Sequence, residues 1–237
     1  MWWLPRGREL THADILEEKR LLPVFKAILE RIMEGHTTAE DYLFLKEHNE
    51  RVDQAGGFAE SLDVKVLCAR LEDKDNLNRD MLLKISEASG EPIVRIEAEN
   101  TGTTYARVAT ASEVSNLAPV LYLAKGARVM CTWNGWKVAG LVNGAQGIVH
   151  EILYAEGQGP PSMPIAVLVQ FPTLAEGGIY RGPSYLAEVP GVVKFTPNRE
   201  SFYDDSEKKI GEKLGTPCTR TQFPLDLAYA TTIQFLA

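Results

Sequence analysis

Cysteine is scarce in this chain. Its 237 residues contain three, Cys68, Cys131 and Cys218, far apart and without a C-x-x-C pair, which excludes a disulfide framework or a zinc ribbon and leaves buried thiols as the expected state. The four histidines, His12, His36, His48 and His150, are scattered, with no H-E-x-x-H, so no metal centre is expected. There is no Gly-Lys dipeptide and no adjacent Asp-Glu pair. A phosphate-binding loop needs the first, and the second is the usual device for holding magnesium and positioning attacking water, so both halves of a nucleotide-hydrolysis site are missing from this stretch. Gly157-Gln158-Gly159 runs into Pro160-Pro161 and reads as a turn, and no G-x-S-x-G elbow of a serine hydrolase occurs. Long apolar runs are also lacking: none approaches the roughly 18 to 20 residues of a membrane helix. The N-terminal Met1-Trp2-Trp3-Leu4-Pro5-Arg6 does not have the charged-then-apolar layout of a signal peptide. The chain reads as soluble and intracellular, without a membrane partner.

What is present is an ordinary globular composition, 45% hydrophobic and 24% charged, with a formal net charge of -7. The acidity is N-terminal. Residues 1–118 carry 15 basic against 22 acidic side chains, whereas residues 119–200 carry 6 against 5. Between Val114 and His150 there is no carboxylate at all, and Lys125, Arg128 and Lys137 lie there close in sequence to Trp133 and Trp136. This is the segment suited to phosphate.

Residues 1–58 read as helical. Leu21, Phe25, Ile28, Leu29 and Ile32 share one face of a helix expected from Arg20, with Pro23 in its first turn and Gly35 as its stop. Thr38-Ala39-Glu40-Asp41 has the character of a capping box, with Asp in place of Glu, opening a second helix that Gln54-Ala55-Gly56-Gly57 ends. A strand–helix–strand pattern follows over residues 59–118. Val64–Leu71 suits a buried parallel strand, Asp73 is placed to cap a helix bearing Leu77, Met81, Leu82, Ile85 and Ala88, Gly90 stops that helix, and Pro92–Ala98 resumes strand character. Residues Asn100–Thr104 read as loop.

From residue 119 to 200 the texture changes to short strands, at Leu121–Leu123, Ala127–Trp133, Gln146–Tyr154, Ile165–Phe171 and Gly191–Phe195, separated by Gly, Pro and Asn. Asn143-Gly144 is the strongest hairpin cue, suiting a turn with both residues at positive φ. The pattern predicts a small barrel-like or sandwich insertion. After the polar segment 201–215, an apolar pattern returns at Phe223–Ile233. The fold class expected is α/β, with a domain interrupted by a β-rich insertion and preceded by helices.

Two roles are open for the basic and aromatic region. Trp136 and Trp133 would stack on unpaired bases while Lys125, Arg128 and Lys137 follow phosphates, or the tryptophans would pack into the core and the cations form a solvated rim. Strand alternation puts Trp133 on the face of Val129 and Cys131, which favours core packing for it; Trp136, in the loop, stays open to both. Three phosphate contacts would give log affinity against log salt a slope of about -2, from roughly 0.7 per contact.

Two segments carry a resemblance. Leu123–Asn134 with Gly140–Val149 resembles the β-rich insertion of Pif-type (petite integration frequency) DNA helicases, and Arg220–Ile233 resembles the family segment that leads into a His-Lys-Ser-Gln-Gly motif. Leu67–Leu82 is similar to the strand and helix opening the second RecA-like domain, with Asn78 at the family's Asn position. The likeness runs from about residue 13 to Ile233. It implies residues 1–58 as the closing helices of a first RecA-like domain, 59–118 as the start of the second, 119–200 as its insertion and 201–237 as the return to it. It further implies ATP- and magnesium-dependent 5′-to-3′ unwinding of DNA, in replication, repair, recombination and telomere maintenance, in nucleus or mitochondrion. The family's phosphate loop and magnesium motif would precede this stretch, and Gln234–Ala237 stands where His-Lys-Ser-Gln-Gly would begin. The expectation is therefore a helicase fragment that binds no ATP by itself and meets single-stranded DNA weakly through Lys125, Arg128, Trp136 and Lys137. The alternative is a non-enzymatic module binding single-stranded nucleic acid or protein.

Overall fold

The computed structural model describes residues 12–54, 66–205 and 215–232, with side chains over 23–47, 66–205 and 215–232. The expectations for Met1–Arg6, for the break at Ala55–Gly57, for Val64 and Lys65, for most of the polar stretch before Gly215 and for Ile233 onward lie outside the described residues, as does the side chain of Leu21. The chain divides into two compact units, Met1–Val64 and Lys65–Ala237.

The first unit holds α1 (His12–Met33) and α2 (Ala39–Gln54). Helix α1 begins eight residues before Arg20, so Pro23 lies inside it rather than in its first turn. Only part of the expected apolar face is covered: Ile28 is buried, while Leu29 and Ile32 remain exposed. The capping box forms reciprocally. The Asp41 backbone N–H donates to Thr38 Oγ1 at 3.2 Å and the Thr38 N–H donates to Asp41 Oδ2 at 3.0 Å. Arg31 reaches across the connection with its Nε 3.0 Å from Asp41 Oδ2 and its Nη2 on Oδ1. The Arg31 guanidinium first, then the Thr38 N–H and the Thr38 hydroxyl, hold the Asp41 carboxyl well below the usual carboxylate range.

The second unit begins with β1 (Val66–Cys68) and α3 (Leu71–Ser89). Arg70, not Asp73, occupies the N-cap of α3, and Asp73 sits in its first turn, where a negative charge suits the helix dipole. Gly90 closes the helix in the left-handed conformation, at φ +72°, its N–H donating to Ser86 O. The buried stripe of α3 is Lys74, Asn78, Met81 and Leu82, with Leu77 and Ile85 packed beside it; Ala88, in the last turn, is exposed.

The strands do not pair as a simple β–α–β unit. β1 runs parallel to β12 (Ala230–Thr232), while β2 (Val94–Glu97) pairs antiparallel with β4 (Val120–Leu123). Glu99–Thr101, with Asn100 and Thr101 expected as loop, is β3, an edge strand on β10 (Thr216–Gln222), which pairs on its other side with β9 (Asn198–Asp204). The short helix α4 (Tyr105–Val108) follows β3. The insertion forms a five-stranded antiparallel sheet in the order β11 (Leu225–Leu227), β5 (Arg128–Cys131), β6 (Gln146–Leu153), β7 (Ala166–Gln170), β8 (Val192–Phe195). No sheet of the described residues closes on itself, so the expected barrel is an open sheet. Its edge strand β11 comes from the C-terminal segment expected to belong to the α/β part.

That exchange makes one core of the two regions. Met81 and Leu82 of α3, Val94 and Ile96 of β2, Val129 and Cys131 of β5, Val167 and Val169 of β7, and Phe223, Leu225 and Tyr229 bury together. All three cysteines are buried free thiols. A smaller cluster of Ala106, Ala109, Val114, Phe202 and Cys218 lies under α4. Among the described residues no helix is long and apolar enough to cross a membrane, and no group of three metal-ligating side chains is placed to hold an ion.

Candidate nucleic-acid interface

Strand β5 separates the candidate residues into two groups. Lys125 lies in the turn before it and pairs with Glu151 at 3.3 Å, both side chains about half exposed. Arg128 opens β5. Its guanidinium carbon stands 5.8 Å from the centre of the Tyr229 ring, its N–H donates to the Tyr229 hydroxyl at 2.8 Å, and its carbonyl accepts the Ala228 N–H at 3.0 Å. Arg128 therefore braces the C-terminal motif against the sheet, with the Tyr229 phenol pushed up by burial.

Beyond the other end of β5 the chain leaves the sheet from Thr132 to Val142. Trp133 is 47% exposed, contrary to the core packing expected from alternation. The physical reason is that β5 ends at Cys131, whose thiol donates to Trp133 O at 3.0 Å, so the two-residue period no longer applies. The Trp133 ring folds instead over Gly135, where a Cβ would stand 1.6 Å from its Cζ3. Trp136, also 47% exposed, starts a single 3-10 turn, Lys137–Ala139, that presents Lys137 and Val138 to solvent. Reciprocal backbone bonds between Trp136 and Leu141, at 3.1 and 3.0 Å, close this loop at its neck.

A second loop locks onto the first. In residues 172–183, Thr173 and Glu176 form a capping box, Tyr180 is buried against Phe171, and the Arg181 N–H donates to Ala139 O at 2.9 Å. Gly140 permits this contact: it sits at φ +84°, and a Cβ there would lie 2.4 Å from Ile179 O. Arg181 is thereby placed beside the Lys137–Ala139 turn although it stands 44 positions after Lys137. Sequence proximity gave no sign of it. A backbone bond between two loops leaves no local pattern to read.

Asn143 and Gly144 occupy a turn closed by the Ala145 N–H on Val142 O at 3.0 Å. Gly144 has φ +88°, but Asn143 is not at positive φ, so this is a type II turn and not the doubly left-handed hairpin turn expected. The difference follows from its neighbours. The turn joins an excursion, not strand β5, to β6, and the Asn134 side chain accepts the Asn143 N–H at 3.0 Å, so strand twist does not dictate its hand. A Cβ at Gly144 would meet nothing within 4 Å, leaving backbone strain as the cost of substitution. Gly144→Val is expected to lower stability by about 1–2 kcal/mol and Gly144→Asn by less than about 1 kcal/mol. Thermal melts of the two variants check this, and equal melting temperatures would show that the turn has another conformation.

Three residues of the segments that resemble helicase motifs, Lys74, Asn78 and Arg220, are buried framework. Asn78 accepts the N–H groups of Tyr229 and Ala230 at 3.1 and 2.8 Å and donates to Ala230 O at 3.2 Å. Lys74, also buried, ion-pairs with Asp226 at 2.9 Å and with Asp75 at 3.2 Å. Arg220 is fully buried in β10. It donates from Nε to Asn100 Oδ1 (3.0 Å), from Nη1 to Leu117 O (2.9 Å) and from Nη2 to Ala106 O and Ala109 O (2.7 and 2.8 Å). Burial pulls its pKa down and Glu113 opposes that pull. Glu113 is itself held down to about 2, first by the Thr110 hydroxyl and then by the Tyr105 hydroxyl and the Thr110 N–H.

No family model matches the chain, and no curated protein matches it in sequence. Solved structures do match in fold. A Pif1 helicase from Candida albicans is 22% identical, over 73% of this chain and 36% of its own, with a TM-score of 0.51. Bacteroides Pif1 bound to ssDNA is 22% identical over 90% of this chain and 40% of its own, with a TM-score of 0.54. The Bacteroides enzyme in complex with ADP-AlF3 and ssDNA matches with the same identity and coverage and a TM-score of 0.53. The chain thus has a RecA-like helicase fold in part, and it spans well under half the length of each of these proteins.

Proposed function

We propose that this chain is a portion of a Pif-type DNA helicase, comprising part of the second RecA-like domain and its β-rich insertion, and that it contributes contacts to single-stranded DNA. The observation that carries this reading is the fold likeness to Pif1 structures over 90% of the chain, two of which are described as bound to ssDNA. Motif order agrees with it: the Leu67–Leu82 segment and the Arg220–Thr232 segment, distant in sequence, are joined through Asn78 and by the β1–β12 pairing. In the same proposal, ATP-driven 5′-to-3′ unwinding and the genome-maintenance roles of repair, recombination and telomere upkeep, in nucleus or mitochondrion, belong to the whole helicase.

These 237 residues by themselves are proposed to be catalytically silent. Phosphoryl transfer depends on a phosphate loop, a magnesium-holding carboxylate and an arginine aimed at the transferred group, and loss of the arginine alone costs about 10³ to 10⁵ in rate. Gly-Lys occurs nowhere in the sequence, and the described residues hold no acidic cluster suited to magnesium. The purified chain is expected to release no phosphate from ATP above background with or without DNA, and millimolar Mg-ATP should leave its melting temperature unchanged, since only a ligand that binds the native state raises it. DNA-stimulated phosphate release that co-purifies with the chain through successive columns would overturn this. The alternative, a non-enzymatic binding module, is favoured by one observation, the two half-exposed tryptophans on a closed loop.

A further inference from the structure

The loops at 132–142 and 172–183 form one lobe, and we infer that this lobe, through Trp133, Trp136, Lys137 and Arg181, is where the chain grips an unpaired DNA strand. The inference rests on the proposal that the chain meets single-stranded DNA and names the surface and a residue, Arg181, that does so. Four observations carry it. Trp133 and Trp136 are each 47% exposed although both loops are braced by backbone hydrogen bonds, so their rings are held at the surface and not waiting to be buried by local rearrangement. Lys137 and Arg181 are exposed and have no ion-pair partner among the described residues. No carboxylate lies between Val114 and His150, and the one in the second loop, Glu176, is engaged by the Thr173 N–H and hydroxyl, both at 2.9 Å. Finally, the cations at the far end of β5 are committed elsewhere, Lys125 to Glu151 and Arg128 to the Tyr229 ring.

The chemistry selects the occupant. Flat aromatic faces beside unneutralised cations suit a polyanion whose bases are free to stack, which a duplex does not offer. A protein partner would have to bring its own acidic patch.

The test uses the full chain and a labelled, unstructured oligothymidine in fluorescence anisotropy across a salt series. The expected result is measurable binding by the unaltered chain. Trp136→Ala should weaken it about 5- to 100-fold, as loss of one stacked base does, while Trp136→Phe retains most of it. Arg181→Gln and Lys137→Gln should each reduce the steepness of log affinity against log salt by about 0.7, Arg181→Lys should restore it, and Lys84→Gln on α3 should leave it alone. Circular dichroism melts confirm that each variant is folded. If the unaltered chain binds and the lobe variants bind equally well, or if Lys125→Gln weakens binding while Arg181→Gln does not, the inference falls and the single-strand reading survives. If the unaltered chain binds no oligonucleotide at low salt, both fall. Variants that alter only self-association in sedimentation would assign the lobe to protein contact and overturn it as well.

Discussion

Replacing Arg220 with methionine is expected to cost at least about 3 kcal/mol, a large share of the usual stability margin of roughly 5–15 kcal/mol. Methionine matches the aliphatic stem in bulk but donates nothing. Three backbone carbonyls, from Ala106, Ala109 and Leu117, and the Asn100 amide would lose their donor in a site that is fully buried. Each buried acceptor left without a partner costs about 1–3 kcal/mol, and water reaching the site recovers only part. Lysine should fail nearly as badly, because one ammonium cannot replace a planar fork spanning four acceptors. Arg199 is the matched control: it is exposed on β9, with a single bond of 3.4 Å to Thr219 Oγ1, and Arg199→Met should stay within about 0.5 kcal/mol. Urea titrations of the three variants measure this. An Arg220→Met midpoint indistinguishable from that of Arg199→Met would show that the segment from Asn100 to Leu117 does not depend on the guanidinium.

Asn78→Leu is the second large effect, at about 2–4 kcal/mol. Between β11 and β12 the chain turns through Ala228 and Tyr229, and Asn78 supplies from α3 the acceptor and donor that an adjacent strand would otherwise provide. Leucine keeps the volume and removes both, stranding the N–H groups of the buried Tyr229 and Ala230 without an acceptor. Amide hydrogen exchange separates this from a general loss of stability. The amides of Tyr229 and Ala230 should exchange faster than those of β6 in the variant, and an equal acceleration across the sheet would mean that Asn78 acts only through packing.

What could be read locally was read correctly where the interaction itself is local. The Thr38–Asp41 box, the Gly90 stop and the five strands from Val120 to Phe195 each depend on residues within a few positions of one another or on a period of two along one strand. The same reasoning failed where a local rule met a tertiary boundary. Alternation placed Trp133 inside because nothing in Ala127–Trp133 says that pairing stops at Cys131, and Asn143-Gly144 announced a turn without announcing its hand.

Composition and order by themselves determined that this chain carries an α/β pattern interrupted by short strands, that its 237 residues contain no Gly-Lys of a phosphate loop, and that no carboxylate stands between Val114 and His150, where Trp133, Trp136 and Lys137 lie. The tertiary structure alone decided that β2 joins β4 and not β1, that β11 closes the edge of the insertion sheet, that Arg220 and Asn78 are framework, and that Arg181 stands beside Lys137. The reason is sequence separation. The bonds that settle these points join residues 120 positions apart from Arg220 to Asn100 and 152 apart from Asn78 to Ala230, and a side chain's own neighbourhood along the chain has no means of recording a partner that only folding brings within reach.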